Sequence, residues 1–230
     1  MRVKILVLNG NTSESVTRRM LDLLGPRCPE SVQLVGATAP FGSAYVSDWA
    51  AAAMAGHAVQ DAVRAAVAAE GTPFDACYYA CFGEPGIAAL RAGNGFPVTG
   101  MAEASLATAL QLGARFSILT TGPGWRPMLQ EWMRGKALDA RCAGIAVLDG
   151  DVLRLAADRE AGLAAVGAAV DAVIARDAPD VVIVAGAALA GYGAALDRTA
   201  PVPIVDSLFA GFEQTLALAR LGLRPRGQPT

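Results

Sequence analysis

One succession of signals occurs twice in this chain, and that repeat constrains the fold more than any single motif. Arg2-Val3-Lys4-Ile5-Leu6-Val7-Leu8 is echoed by Arg115-Phe116-Ser117-Ile118-Leu119-Thr120-Thr121. Phe74-Asp75-Ala76 precedes one buried-strand pattern, and Pro179-Asp180-Val181 precedes another. Pro97-Val98-Thr99 opens a segment ending Leu110-Gln111-Leu112-Gly113, as Pro203-Ile204-Val205 opens one ending Ala219-Arg220-Leu221-Gly222. The period, about one hundred residues, suits a domain rather than a solenoid unit. Within each copy, short apolar runs alternate with alanine-rich helical stretches, which signals a parallel sheet with crossover helices. The expected architecture is therefore two similar α/β halves whose strand ends point into a shared cleft. Residues 1–97 with 206–230 are assigned to the first half and 98–205 to the second.

The chemistry concentrates at the end of one apolar run. Phe74 to Ala80 reads as a buried strand that stops at Cys81. Gly83, Pro85 and Gly86 then force a turn, and Ile87 to Arg91 begins a helix. Open α/β sheets place their ligands at such carboxyl ends. A helix N-terminus there attracts anions and is expected to lower a thiol pKa. A free cysteine is also commonly a small packed hydrophobe, so both roles remain open. Registering Asp75 on Asp180 sets Cys81 opposite Gly186, so one half offers a thiol and the other only backbone.

A second polar loop, Asn9-Gly10-Asn11-Thr12-Ser13, follows the strand Val3 to Leu8. Its amides and hydroxyls can cradle an anion, or Thr12 or Ser13 can simply cap the helix that runs to Leu24. It is neither a dinucleotide fingerprint nor a P-loop. Further strands are expected at Val32 to Ala37, Phe116 to Leu119, Ile145 to Leu148 and Val181 to Val184. Helices are expected over Glu160 to Ala175 and Leu208 to Leu221, and the tail Arg224 to Thr230 is expected to be disordered.

Composition closes off several classes. Near-balanced charge, 19 basic against 21 acidic residues, gives no field for nucleic acid. The first apolar run ends at Asn9, too short for a signal peptide or a membrane span, so a cytoplasmic protein with no membrane partner is expected. The cysteines Cys28, Cys77, Cys81 and Cys142 lack metal spacing. Cys77 and Cys81, roughly 13 Å apart along a strand, are too distant to bridge. The single histidine, His57, lies in a helical stretch and reads as a surface residue, so no metal site is assigned.

Asn9-Gly10-Asn11-Thr12-Ser13, Ala80-Cys81-Phe82-Gly83-Glu84-Pro85-Gly86, Gly100-Met101-Ala102-Glu103-Ala104 and Phe116-Ser117-Ile118-Leu119-Thr120-Thr121 together resemble the hydantoin racemase branch of the aspartate/glutamate racemase superfamily. The resemblance covers nearly the whole chain in order. It implies two pseudo-symmetric Rossmann-like (flavodoxin-like) domains with the active site between them. It also implies no cofactor, a small carboxylate or hydantoin-type substrate, and a homo-oligomer. Cys81 becomes the acid/base in a reaction that inverts a carbon beside a carbonyl. Removal of that proton needs donors for the developing enolate. Asn11, Thr12, Ser13, Thr120 and Thr121 are the side-chain candidates. The backbone of Phe82, Gly83, Gly186 and Ala187 completes the expected binding set.

The resemblance breaks at one position. Two-cysteine racemases carry their second thiol in a motif like Val184-Ala185-Gly186-Ala187-Ala188-Leu189-Ala190-Gly191, where this chain has Gly186. Water, a hydroxyl, Glu84 or Asp206 is left to serve the second face. A one-thiol site suggests a runner-up, decarboxylation of malonate-type acids, which forms an enolate directly. A two-lobed binding protein for a small anion, with Cys81 merely packed, is the reading from outside enzymology.

Overall fold

A computed structural model describes residues 2–148 and 158–225. Its secondary structure follows the alternation read from sequence, with two four-stranded parallel sheets. The chain divides into two units, Met1–Glu103 with Gly211–Thr230, and Ala104–Ala210.

The sheet of the first unit contains β1 (Val3–Asn9), β2 (Val32–Thr38), β3 (Ala76–Tyr79) and β4 (Val98–Gly100), in the order β2-β1-β3-β4. The helices are α1 (Glu14–Leu24), α2 (Trp49–Glu70), α3 (Ile87–Gly93) and the start of α4 (Met101–Leu112). In α1, Thr17, Met20 and Leu24 are buried, the spacing of one helical face. Asp48 opens α2 by accepting the Ala51 N–H at 2.8 Å, and Gly71 closes it in the left-handed conformation, φ 62°. Central strands covered on both faces read as continuous apolar runs, and β3 is buried at all four residues. Its core joins Leu6, Leu8, Val59, Val63, Phe74 and Leu90.

The second unit repeats this plan with β5 (Phe116–Thr121), β6 (Cys142–Leu148), β7 (Val181–Val184) and β8 (Ile204–Asp206), in the order β6-β5-β7-β8. Helices α5 (Trp125–Gly135), α6 (Arg159–Asp177), α7 (Tyr192–Leu196) and the first residues of α8 (Ser207–Leu221) accompany it. Gly162, Val166, Val170 and Val173 form the buried stripe of α6, packed with Leu119, Tyr192 and Ile204.

Hydrogen bonds fix how the two copies correspond. Asp75 N–H donates to Lys4 O and Ala80 N–H to Leu8 O; Asp180 N–H donates to Arg115 O and Ala185 N–H to Leu119 O. Ala80 and Ala185 thus hold equivalent places, so Cys81 and Gly186 come next in each unit. The divergence lies in the strand ends. Thr120 and Thr121, expected just beyond a strand, are its last two residues, because β5 stays paired with β6 as far as Leu148. At the tail, Arg224 is not disordered: its guanidinium donates to Phe74 O and pairs with Asp75, both at 2.8 Å. Residues 226–230 lie outside the described residues.

Candidate active site

Strand alternation places Cys77, Tyr79 and Cys81 on one side of the β3 segment. Cys77 is wholly buried, while Cys81 is partly buried against the core. The turn beyond Cys81 closes with the Glu84 N–H donating to Cys81 O at 3.2 Å. Gly83, φ 102°, and Gly86, φ 79°, take left-handed values that a side chain would resist. Glu84 takes φ 56° as well, an uncommon conformation for a residue with a Cβ. The second unit makes the equivalent turn, with the Leu189 N–H donating to Gly186 O at 3.1 Å and Gly191 at φ 85°.

Cys81 has the Tyr79 hydroxyl and the Glu84 carboxylate near it. Burial pushes the thiol up to about 12, and the nearby Glu84 carboxylate acts in the same direction; hydrogen bonds from the Tyr79 hydroxyl and the Glu84 N–H oppose them. The expected lowering at a helix N-terminus is therefore overturned, because desolvation of the thiolate outweighs the donors. Cys81 rests as a neutral thiol, the proton-bearing form. Cys77 is pushed up further by complete burial, and Cys142 to about 11.

Glu84 is buried, with Oε1 accepting the Glu103 N–H at 2.8 Å in the first turn of α4. A Cβ at Gly100 would collide with this carboxylate, so the glycine leaves room for it. Burial raises the Glu84 carboxyl to about 7. Among the described residues, Glu84 Oε2 and Thr99 Oγ1 are the buried side-chain oxygens without a hydrogen-bond partner.

In the polar loop after β1, Asn9 is the organiser that sequence reasoning passed over. Its Nδ2 donates to Asn11 Oδ1 at 2.9 Å, Ser13 O at 3.0 Å and Thr17 Oγ1 at 3.0 Å. Asn11 Oδ1 also receives the Ser13 N–H, and the Thr12 N–H reaches Ser43 O. Ser13 occupies the N-cap position of α1, yet its hydroxyl meets Ser15 Oγ instead of a backbone donor. Asn11, Thr12 and Ser13 are all partly accessible. Phe82, by contrast, is buried.

In the second unit, Thr120 and Thr121 are buried and Gly186 is partly accessible. Gly186 has φ 97° and ψ 154°, and its N–H donates to Ser207 Oγ at 3.0 Å. A Cβ built there would meet only Thr120 Oγ1, at 3.9 Å. Ala187 opens the short turn Ala187–Leu189. Ser207 was missed because the last helix was expected to begin at Leu208; the helix-capping preference of serine was the available signal.

Asp206, a sequence candidate for proton transfer, is committed to holding backbone. Its Oδ2 accepts the N–H of Gly191 at 2.8 Å and of Ala194 at 3.4 Å, and its Oδ1 accepts that of Leu208 at 3.1 Å. His57 is exposed and stacks edge-on with Phe41, ring centroids 5.3 Å apart. Among the described residues no cluster of three or more His, Cys, Asp or Glu side chains could hold a metal ion. No helix among them is long and apolar enough to cross a membrane.

The chain is thus built of two α/β units of one topology, with a thiol beyond one strand end and a glycine at its counterpart. The chain belongs to the Asp/Glu/hydantoin racemase family, whose model matches residues 5–215. It is 26% identical over 220 residues to the hydantoin racemase of Pseudomonas sp. (strain NS671), covering 96% of this chain and 87% of that one. The crystal structure of allantoin racemase from Pseudomonas fluorescens superposes with a TM-score of 0.88 at 29% identity, covering 99% of each chain. A crystal structure of arylmalonate decarboxylase shares the fold, with a TM-score of 0.67 at 18% identity over 97% of this chain and 96% of that one.

Proposed function

We propose that the protein is a cofactor-independent racemase or epimerase that inverts a carbon next to a carbonyl in a hydantoin-type or amino-acid-type small molecule. Cys81 is its acid/base. The observation that carries the reading is the position of Cys81 directly beyond β3 in a chain matched by the racemase family along most of its length. An α-proton beside a carbonyl is too weakly acidic to leave without help for the enolate. Asn11, Thr12, Ser13, Thr120 and Thr121 supply that help, with the backbone of Phe82, Gly83, Gly186 and Ala187. A small-molecule partner, a homo-oligomer and a cytoplasmic location accompany the reading by family likeness.

Cys81 carries its proton at rest, so delivering a proton to an enolate is the step it is set for. The opposite step requires the thiolate, which the Tyr79 hydroxyl and the Glu84 N–H stabilise. Gly186 brings no side chain, and Thr120 Oγ1 is the nearest group to the space one would occupy. That hydroxyl, or water beside it, serves the second face. The same pairing of a neutral thiol with Gly186 favours one alternative, decarboxylation of a malonate-type acid, where a single proton donor suffices.

Exchange at the α-carbon in D₂O, followed by NMR, separates these readings. Single enantiomers of 5-substituted hydantoins, allantoin, amino acids and dicarboxylic acids are offered to wild type and Cys81→Ala. Exchange with loss of optical rotation, abolished in Cys81→Ala, is the expected result. Exchange with retained configuration would turn the assignment to decarboxylation. Absence of exchange on every compound, with Cys81 inert to alkylation, would leave a small-anion binding protein.

A further inference from the structure

We propose that Tyr79 is the positioning residue for Cys81, its single hydroxyl proton turning from the Pro85 carbonyl to the sulfur whenever the thiol gives up its own. The inference rests on the reading of Cys81 as the acid/base. Its warrant is a convergence of three residues. The Tyr79 ring is buried, and its hydroxyl donates to Pro85 O at 3.1 Å. That same hydroxyl sits beside Cys81 across Gly10 and favours the thiolate. Gly10 makes the approach possible: a Cβ there would lie 2.8 Å from the Tyr79 oxygen and 3.2 Å from Cys81 Cβ.

A phenol has one proton to donate, and two acceptors compete for it here. While Cys81 is a thiol, the phenol donates to Pro85 O. When the S–H bond breaks and the proton forms a C–H bond on the enolate, the sulfur keeps the electron pair. The phenol then rotates onto that thiolate, which is the stronger acceptor. No proton leaves Tyr79, and burial pushes its own ionisation far upward. The charged or titratable groups that bear on this pair are Glu84, whose carboxylate opposes the thiolate, and Cys77.

The test follows the thiol and needs no substrate. The alkylation rate of Cys81 by iodoacetamide is measured by peptide mass spectrometry from pH 7 to 10 in wild type and Tyr79→Phe, with melting temperatures alongside. A hydrogen bond to a charged group corresponds to about a tenfold change in thiolate population. Tyr79→Phe should therefore alkylate about tenfold more slowly across this range, its pH–rate curve displaced upward by about one unit. A Tyr79 that only supports the turn through Pro85 would lower the melting temperature and leave the pH–rate curve in place. An unmoved curve, or faster alkylation, would overturn the proposal. Either result is independent of whether the protein racemises any compound, since the D₂O exchange decides that separately.

Discussion

At Gly186 the backbone, more than the missing side chain, separates this chain from a two-thiol enzyme. Its φ of 97° with ψ 154° falls where glycine alone is comfortable. Cys81, its counterpart, has no positive φ: among described non-glycine residues that conformation belongs to Glu84, Ala137 and Ala178. Space does not forbid a side chain, since a Cβ meets nothing closer than Thr120 Oγ1 at 3.9 Å. The penalty for Gly186→Ala is then purely conformational, about 1–3 kcal/mol. Urea unfolding of Gly186→Ala should show that loss without a change in slope. A neutral substitution would mean that the turn relaxes readily, and that a thiol could be seated there by mutation alone.

The β3 and β7 turns are the same element carrying different carboxylates. In the first unit Glu84, on the turn, reaches the start of α4 over Gly100. In the second, Asp206, at the end of β8, reaches back to Gly191 at the end of the turn and Ala194 in α7, and forward to Leu208. Gly100 and Asp206 hold equivalent places at the ends of β4 and β8, so each unit buries one carboxylate at this junction but takes it from opposite sides. Gly100→Ala should displace Glu84 and destabilise the fold by about 2 kcal/mol through overpacking. Asp206→Ala should cost about 3 kcal/mol, because several buried N–H groups lose their acceptor together. Thermal melts of the two variants check both, and a wild-type melting temperature in Asp206→Ala would show that water replaces the carboxylate. This junction also marks how far sequence reading reached. Apolar runs, the Asp75 and Asp180 echo and the Gly-Pro turn were legible because each is a local signal with a fixed period or backbone demand. The Cys81–Gly186 correspondence followed from that register. Burial of Glu84 and the approach of Tyr79 through Gly10 were not legible, because they depend on contacts between segments distant in sequence. The thiol pKa was misjudged for the same reason: helix placement is a local feature, whereas desolvation is the sum of everything packed around the sulfur.

On the scale of the whole molecule, Glu84 and Asp206 put one titrating buried carboxyl in each unit. Burial raises Glu84 from 4.5 to about 7 and Asp206 from 3.8 to about 6. The folded chain thus holds these protons more tightly than the unfolded chain does, so folding is favoured where both carboxyls are protonated. Their stabilisation is complete below about pH 4. It is lost as pH rises, through about 6 for Asp206 and about 7 for Glu84. Shifts of this size amount to roughly 3 kcal/mol for each group. Asp177, held down chiefly by Arg176, works in the opposite sense but acts only at more acid pH, below its ordinary 3.8. Cys81, near 12, and Cys142, near 11, titrate above the window. Urea unfolding between pH 5 and 8.5 should accordingly show stability falling with pH. Glu84→Gln should remove the part of the fall that ends near 7, and Asp206→Asn the part that ends near 6. Glu84→Gln should also speed Cys81 alkylation at neutral pH, since it deletes the charge that opposes the thiolate. Stability that instead rises from pH 5 to 8.5 would mean both carboxylates are ionised in the fold, their backbone donors outweighing burial. A thiol beside an ionised Glu84 would then be held in its neutral form over the entire working range.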